Sequence, residues 1–166
     1  VLNQTFSDFE LLIINDGSTD KSLEIVESLQ DERLCIISFP NSGAAAARNR
    51  GINHAQGEFI AFLDADDIWL PEKLADQVEA FKEKPEAGLV YSWSDYINSK
   101  GEFVCPGKRV LTSGDVETTY ERMLISNFLE NGSTPIIRRD ILADVGCFDE
   151  SLKSSQDLDL YLRIAA

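Results

Sequence analysis

The chain has 166 residues, of which 43% are hydrophobic and 27% charged. That suits one globular domain with a real core and excludes a disordered chain. Lys plus Arg number 15 against 29 Asp plus Glu, a net charge of -14, which argues against nucleic acid or an anionic membrane surface as the main partner.

Strand-like and helix-like segments alternate through the first two thirds. Phe9 to Asn15 is an apolar run ending at the turn Asp16-Gly17-Ser18, and its continuity suits a strand buried on both faces. A helix is expected from Thr19 to Gln30, capped by Ser18 or Thr19, with Leu23, Val26 and Leu29 as its stripe. Leu34 to Phe39 reads as the next strand. Asn41-Ser42-Gly43 opens an alanine-rich helix from Ala44 to Ala55. Glu58 to Leu63 is a strand ending in Asp64-Ala65-Asp66-Asp67, and Pro71 opens a helix carrying Leu74, Val78 and Phe81. This rhythm implies an α/β domain with helices against a mostly parallel sheet.

Beyond Leu89 the pattern changes. Leu89 to Ile97 and Phe103 to Val110 flank the turn Asn98-Ser99-Lys100-Gly101 and suggest a hairpin. Val116, Tyr120, Met123 and Leu124 suggest a helix. Ser133 to Ile137 reads as strand, and Arg139 to Val145 and Leu158 to Ala166 as helices. The second half is therefore expected to make antiparallel additions to the first.

No apolar run reaches the roughly 18 residues of a membrane span. Cys35, Cys105 and Cys147 stand far apart with no C-x-x-C pair, so reduced, packed thiols are expected. The chain opens on Val1 rather than Met and ends at Ala166 inside an expected helix. A piece of something longer is the expectation.

In open parallel sheets, ligands bind beyond the carboxyl ends of the strands. Asp16 and the Asp64–Asp67 turn fall at such ends. The second places three carboxylates within four residues, and their repulsion eases when solvent or a cation meets them. Hard oxygen donors suit Mg²⁺ or Mn²⁺, although a solvated acidic turn is the alternative. Asn41-Ser42-Gly43 leads into a helix N-terminus, which can face an anion. Arg48, one turn further on, could reach a ligand or form a surface ion pair. Asp157 lies near a helix start, where a carboxylate is favoured whatever its function. His54, the single histidine, suits a surface role, and Trp69 and Trp93 suit core or pocket-wall positions.

These segments together resemble a family 2 glycosyltransferase with the GT-A fold. Four blocks, in order along nearly the whole chain, carry the resemblance. Ser7-Asp8-Phe9-Glu10 leading to Asn15-Asp16-Gly17-Ser18-Thr19-Asp20 is similar to the family's second strand and nucleotide-binding turn. Asn41 to Gly51 (NSGAAAARNRG) resembles the N-x-G-x-x-x-A-R-N-x-G segment, and Phe62 to Asp67 the D-x-D motif. Gly146 to Glu150 followed by Gln156 to Leu160 resembles the G-x-F-D-E and E-D-x-D-L segments near the acceptor site, with Gln156 where the family usually carries Glu.

The resemblance implies a sugar transfer with inversion from a nucleoside diphosphate sugar, with UDP as the commonest nucleotide, to a glycan or glycolipid acceptor. Asp16 would contact the base, Arg48 would help hold the nucleotide, and Asp64 would lie near the ribose. Asp66 would ligate Mn²⁺ or Mg²⁺ with Asp67 in support, and Asp157 would be the general base. It further implies one catalytic domain over residues 1–166, a nucleotide-binding half to about 95 and an acceptor-side half after it, with the family's first, central strand missing. Cell-surface polysaccharide or glycolipid synthesis would follow. The location would be cytoplasmic, with any contact to the inner membrane face made by regions outside these residues. Two other readings stay open: a nucleotide-sugar-binding module without turnover, and a haloacid-dehalogenase-type phosphatase, which also carries D-x-D after a strand but whose expected Thr or Val just beyond the second Asp is absent here, with Asp67 in place.

Overall fold

A computed structural model describes residues 1–111 and 116–166, with the side chains of 116–118 left out. The contribution expected of the Val116 side chain therefore lies outside the described residues.

Strand β1 (Leu11–Asn15) pairs in parallel with β2 (Leu34–Ser38), Leu11 opposite Leu34 and Asn15 opposite Ser38. Helix α1 (Ser22–Glu27) connects them. It is shorter than its periodicity predicts. Asp20, not Ser18 or Thr19, accepts from the Ser22 amide, and at the far end the Ser28 N–H and hydroxyl both turn back to the Ile25 carbonyl. Leu23 and Val26 are half-buried, while Leu29 is exposed.

Helix α2 (Ala44–His54) follows, with Ala45 and Ala46 buried. Their small side chains let it pack on β1. The turn before it depends on Gly17. This residue has φ +78°, and a Cβ there would stand 2.9 Å from the Asn41 backbone nitrogen. Only glycine fits both demands.

Strand β3 (Phe59–Ala61), helix α3 (Lys73–Glu83) and strand β4 (Leu89–Tyr91) complete the first half. The expected long strand to Ile97 breaks after Tyr91. The hairpin is made instead by β5 (Asp95–Ile97) and β6 (Phe103–Pro106), exposed throughout. Helix α4 (Val116–Ile125) precedes β7 (Pro135–Arg138), α5 (Arg139–Val145) and α6 (Gln156–Ile164).

Strand β7 decides the sheet. It lies between β3 and β4 and runs antiparallel to both, pairing Ile137 with Ile60 and with Leu89. Ile136 and Ile137 are 2% and 0% exposed. A strand flanked on both edges and covered on both faces favours apolar residues, and Pro135 to Ile137 are buried while Arg138 ends the strand at the surface. Around Ile137 the main core gathers Ile60, Phe128, Leu142, Phe148, Leu160 and Tyr161. The fold is thus mixed α/β, parallel in the β1–β2 pair and antiparallel where β7 inserts.

Among the described residues no ladder joins β1–β2 to β3–β7–β4. A cleft of about 1180 Å³ separates them, lined by Leu11 to Ile14 on one side and Phe59 to Phe62 on the other. The thiols also differ from expectation: Cys35 and Cys105 are exposed and only Cys147 is partly covered. Trp93 is half exposed, because it sits beside the hairpin rather than in the core.

Candidate active site

One strand end and one helix start converge on an arginine. Asp64 follows β3, and Asp157 lies in the first turn of α6. Arg48 projects from α2. Its Nη2 donates to Asp64 Oδ1 and its Nη1 to Asp157 Oδ1, each at 2.7 Å. Its side chain is 15% exposed, against 38% for Asp64 and 25% for Asp157. It also lies over the Phe148 ring, 5.4 Å from the centroid.

The charges tune one another. Burial pushes the Asp157 carboxyl above its ordinary range; Arg48 pulls it back down and Asp64 pushes it up. For Arg48 burial opposes the charge, but the Asp64 hydrogen bond and the two carboxylates outweigh it and hold the guanidinium above its usual value. A partly buried carboxylate with a raised pKa is a functional-site candidate with a physical cause.

The loop after α4 closes the site from the other side. A Cβ on Gly132 would lie 3.3 Å from Arg48 Nη2 and 3.7 Å from Asp157 Oδ2, so glycine there lets backbone lie against the ion-pair cluster. The Tyr161 hydroxyl, at 3.4 Å, donates to the Asn131 carbonyl, and burial drives that phenol far above its normal pKa. Ser155 is left-handed, with φ +58°, at the entry to α6. That conformation is uncommon outside glycine, and it aims the first turn, with Asp157, at Arg48.

Asp16 stands apart from this cluster. Its carboxylate accepts from the Ser42 amide at 3.0 Å, the Gly43 amide at 2.8 Å and Arg50 Nη1 at 2.9 Å. The Asn41–Gly43 turn therefore does meet an anion, but that anion belongs to the chain itself. Arg50 also stacks on Phe39, 4.5 Å from its centroid. A carboxylate has about four acceptor sites, and these contacts place two donors on each Asp16 oxygen, the Ser42 amide being shared between them.

Asp66 and Asp67 sit on the turn closed by the Asp67 amide on the Asp64 carbonyl. Neither carboxylate has a hydrogen-bond or ion-pair partner among the described residues, and Asp66 is exposed. No group of three metal-ligating side chains converges among those residues. Two free, hard carboxylates at a strand end still fit a small divalent cation, which commonly takes one or two carboxylates plus substrate phosphates and water.

Sequence reasoning missed two anchors. Asn49 donates to the Phe148 carbonyl at 2.9 Å and to Glu150 at 2.8 Å, and it accepts from the Phe148 amide at 2.9 Å. Arg163 holds Asp159 and reaches the Val145, Gly146 and Cys147 carbonyls. Asn49 thus ties α2, and Arg163 ties α6, to the same segment from Val145 to Glu150. Gln156 turns back onto the Leu152 carbonyl at 2.7 Å and leaves Asp157 to face the site. His54 is exposed, bonded to the Arg50 carbonyl.

The fold is that of a GT-A glycosyltransferase. Over residues 1–166 the sequence matches the model described as glycosyltransferase like family 2, and the chain belongs to that family. An uncharacterised glycosyltransferase of Rickettsia conorii is 34% identical over all of this chain and 27% of its own length. The chondroitin synthase of Pasteurella multocida is 30% identical over 99% of the chain and 16% of its own length. Among solved structures, S. aureus TarS 1–349 in complex with UDP matches at TM-score 0.70 and 27% identity, over 95% of this chain and 46% of that one. A mannosyltransferase of Pyrobaculum calidifontis in complex with GDP-Man and Mn²⁺ shares the fold at TM-score 0.69 and 21% identity, over 98% of this chain and 45% of that one. The chain spans between 27% and 51% of the first curated relatives it matches. The family assignment sets aside the phosphatase reading. No helix is long and apolar enough to cross a membrane among the described residues.

Proposed function

We propose that this chain is the catalytic domain of an inverting transferase that moves a sugar from a nucleoside diphosphate sugar, most simply a UDP-sugar, to an acceptor hydroxyl. One observation carries the reading: Arg48 joins Asp64, at the donor-side strand end, to Asp157, 109 positions from Arg48 in sequence. Donor-side and acceptor-side carboxylates thus share one partly buried cluster.

The residues then divide the work. Asp16 meets the base of the nucleotide by giving up its share of the bifurcated Ser42 contact. Asp64 and Arg48 face the sugar-nucleotide side, and Asp66 with Asp67 would hold Mn²⁺ or Mg²⁺. Bound there, such an ion supplies Lewis-acid neutralisation of charge on the leaving diphosphate. Asp157 accepts the proton of the acceptor hydroxyl as its oxygen bonds to the anomeric carbon and the bond to the diphosphate breaks. A carboxylate is a weak base in water, so its value here rests on position and partial burial. Arg48 keeps Asp157 ionised and fixed until the acceptor arrives.

The cleft between β1 and β3 supports a second part of the reading. Both strands present an unpaired edge to it, and apolar side chains line it. A further extended segment of the domain would complete one continuous sheet there. The TarS–UDP likeness supports the uridine nucleotide, and the chondroitin synthase relative supports a polysaccharide product. A glycan or glycolipid acceptor on the cytoplasmic side of the membrane belongs to the same reading.

The test is a screen of nucleotide sugars for metal-dependent hydrolysis by the full-length protein, preceded by calorimetry with UDP and Mn²⁺. Binding followed by donor hydrolysis supports a transferase. Binding with no hydrolysis of any donor, and no transfer to any acceptor offered, favours a nucleotide-sugar-binding module instead.

A further inference from the structure

Lys73 is the one lysine among the described residues that is buried, at 9% exposure, and no carboxylate lies within ion-pair distance of it there. Its ammonium donates to Gln77 Oε1 at 2.5 Å and lies 4.2 Å from the centroid of the Trp69 ring. Gln77 is itself fixed, donating to the Val90 and Thr134 carbonyls at 3.0 and 2.9 Å. Burial pushes the Lys73 amine down to about 7. Burying such a group costs free energy, and only the indole face and one amide oxygen offset it.

Trp69 leads directly to the donor turn. Its Nε1–H donates to the Ser133 carbonyl at 2.8 Å, and the Asp64 amide donates to the Ser133 hydroxyl at 2.9 Å. The segment from Asp64 to Trp69 is therefore stapled at both ends to a single residue, itself 4% exposed. Asp66 and Asp67 lie between the two staples. Ser133 also adjoins Gly132, which faces Arg48 and Asp157.

We propose that Lys73 is a positioning residue for the donor turn: it holds the Trp69 indole against Ser133 and so fixes where Asp66 and Asp67 present their carboxylates. This rests on the reading that those two residues meet the donor's cation. The cation over the ring resists rotation of the indole, and Gln77 ties that cation to the middle of β4 and to the residue before β7. Loosening it frees one end of the turn without touching a carboxylate.

The experiment compares wild type, Lys73→Met and Lys73→Arg in three measurements on the full-length protein. These are UDP binding with Mn²⁺ by calorimetry, the melting temperature, and solvent exchange of the Trp69 indole N–H by NMR, all about one pH unit below the amine's value of about 7 so that it is mostly protonated. Methionine removes the buried charge and keeps the bulk, so the melting temperature stays level or rises. Binding nevertheless weakens, by between roughly threefold and thirtyfold, from the usual strength of a cation–π contact, and the indole N–H exchanges faster. Lys73→Arg restores a cation over the ring and recovers part of both. Should Lys73→Met melt early, Trp69→Phe replaces it: phenylalanine keeps a ring under Lys73 but loses the bond to Ser133, and must weaken UDP–Mn²⁺ binding. Wild-type affinity and wild-type indole exchange in Lys73→Met, or wild-type affinity in Trp69→Phe, overturn the proposal alone. A wild-type protein that binds no UDP with Mn²⁺ overturns it together with the donor-site reading.

Discussion

Replacing Arg48 by methionine is the sharpest probe of the site. The substitution keeps most of the apolar stem beside Phe148 and removes a cation shared by two carboxylates. It deletes two charge-assisted hydrogen bonds of 2.7 Å. Such bonds are worth about 1.5–3 kcal/mol each net, but Asp64 is 38% and Asp157 25% exposed, so solvent screening reduces the sum to about 2–3 kcal/mol. The pH dependence adds a signature. Burial and Asp64 already raise the Asp157 carboxyl, and Arg48 is what restrains the rise. Without Arg48 the folded value climbs further above the unfolded one. The folded chain then binds more protons than the unfolded chain, so stability is lost as pH rises from the ordinary carboxylate value of 3.8 through the raised folded value. The deficit relative to wild type is therefore largest near neutrality and shrinks on acidification. Urea unfolding of both proteins across that pH range measures it. A variant as stable as wild type at neutral pH, or a deficit that grows on acidification, refutes the argument.

Asp157→Asn should abolish transfer while UDP binding persists, since the amide cannot take the acceptor proton; turnover near wild type removes Asp157 from the base role. Asp66→Ala should weaken UDP binding in the presence of Mn²⁺ and leave metal-free binding unchanged, as calorimetry with and without chelator will show. In wild type the acid limb of the transfer rate should lie above the usual carboxylate range, because Asp157 must be ionised to act and burial raises its value. Residues 1–166 alone should unfold with poor cooperativity, and a longer chain that supplies an apolar strand to the β1–β3 cleft should unfold sharply at higher urea. A sharp transition with normal UDP binding by residues 1–166 alone would defeat the idea that the cleft needs filling.

Much of this was legible before any coordinates. Apolar runs such as Phe9–Asn15 marked strands, and the alanines after Gly43 marked a packed helix, because period and burial are written locally. Six candidate site residues were named from their turns and blocks, and the structure gathers three of them, Arg48, Asp64 and Asp157, into one ion-pair cluster. The roles within the site were less legible. Spacing left Arg48 evenly poised between a ligand contact and a surface ion pair, and it is neither a free ligand arm nor a surface pair: it is 15% exposed between two aspartates. Asn41-Ser42-Gly43 had the character of an anion site, yet nothing local says that the anion is Asp16.

By itself the sequence determined the order and type of most elements, the acidic turns at strand ends, and the family whose blocks it carries. Those features depend on neighbours within a turn or two. Tertiary structure decided what no local window contains. It placed β7 antiparallel between β3 and β4, because only there are both faces and both edges of Ile136–Ile137 covered. It brought Asp157 to Arg48 through the Asn49 and Arg163 anchors. It also put a lysine in the interior behind the Asp64–Asp67 turn, where a helical stripe alone would have left it in water. The physical reason is shared: the worth of a charge or an apolar side chain depends on what the rest of the chain packs against it.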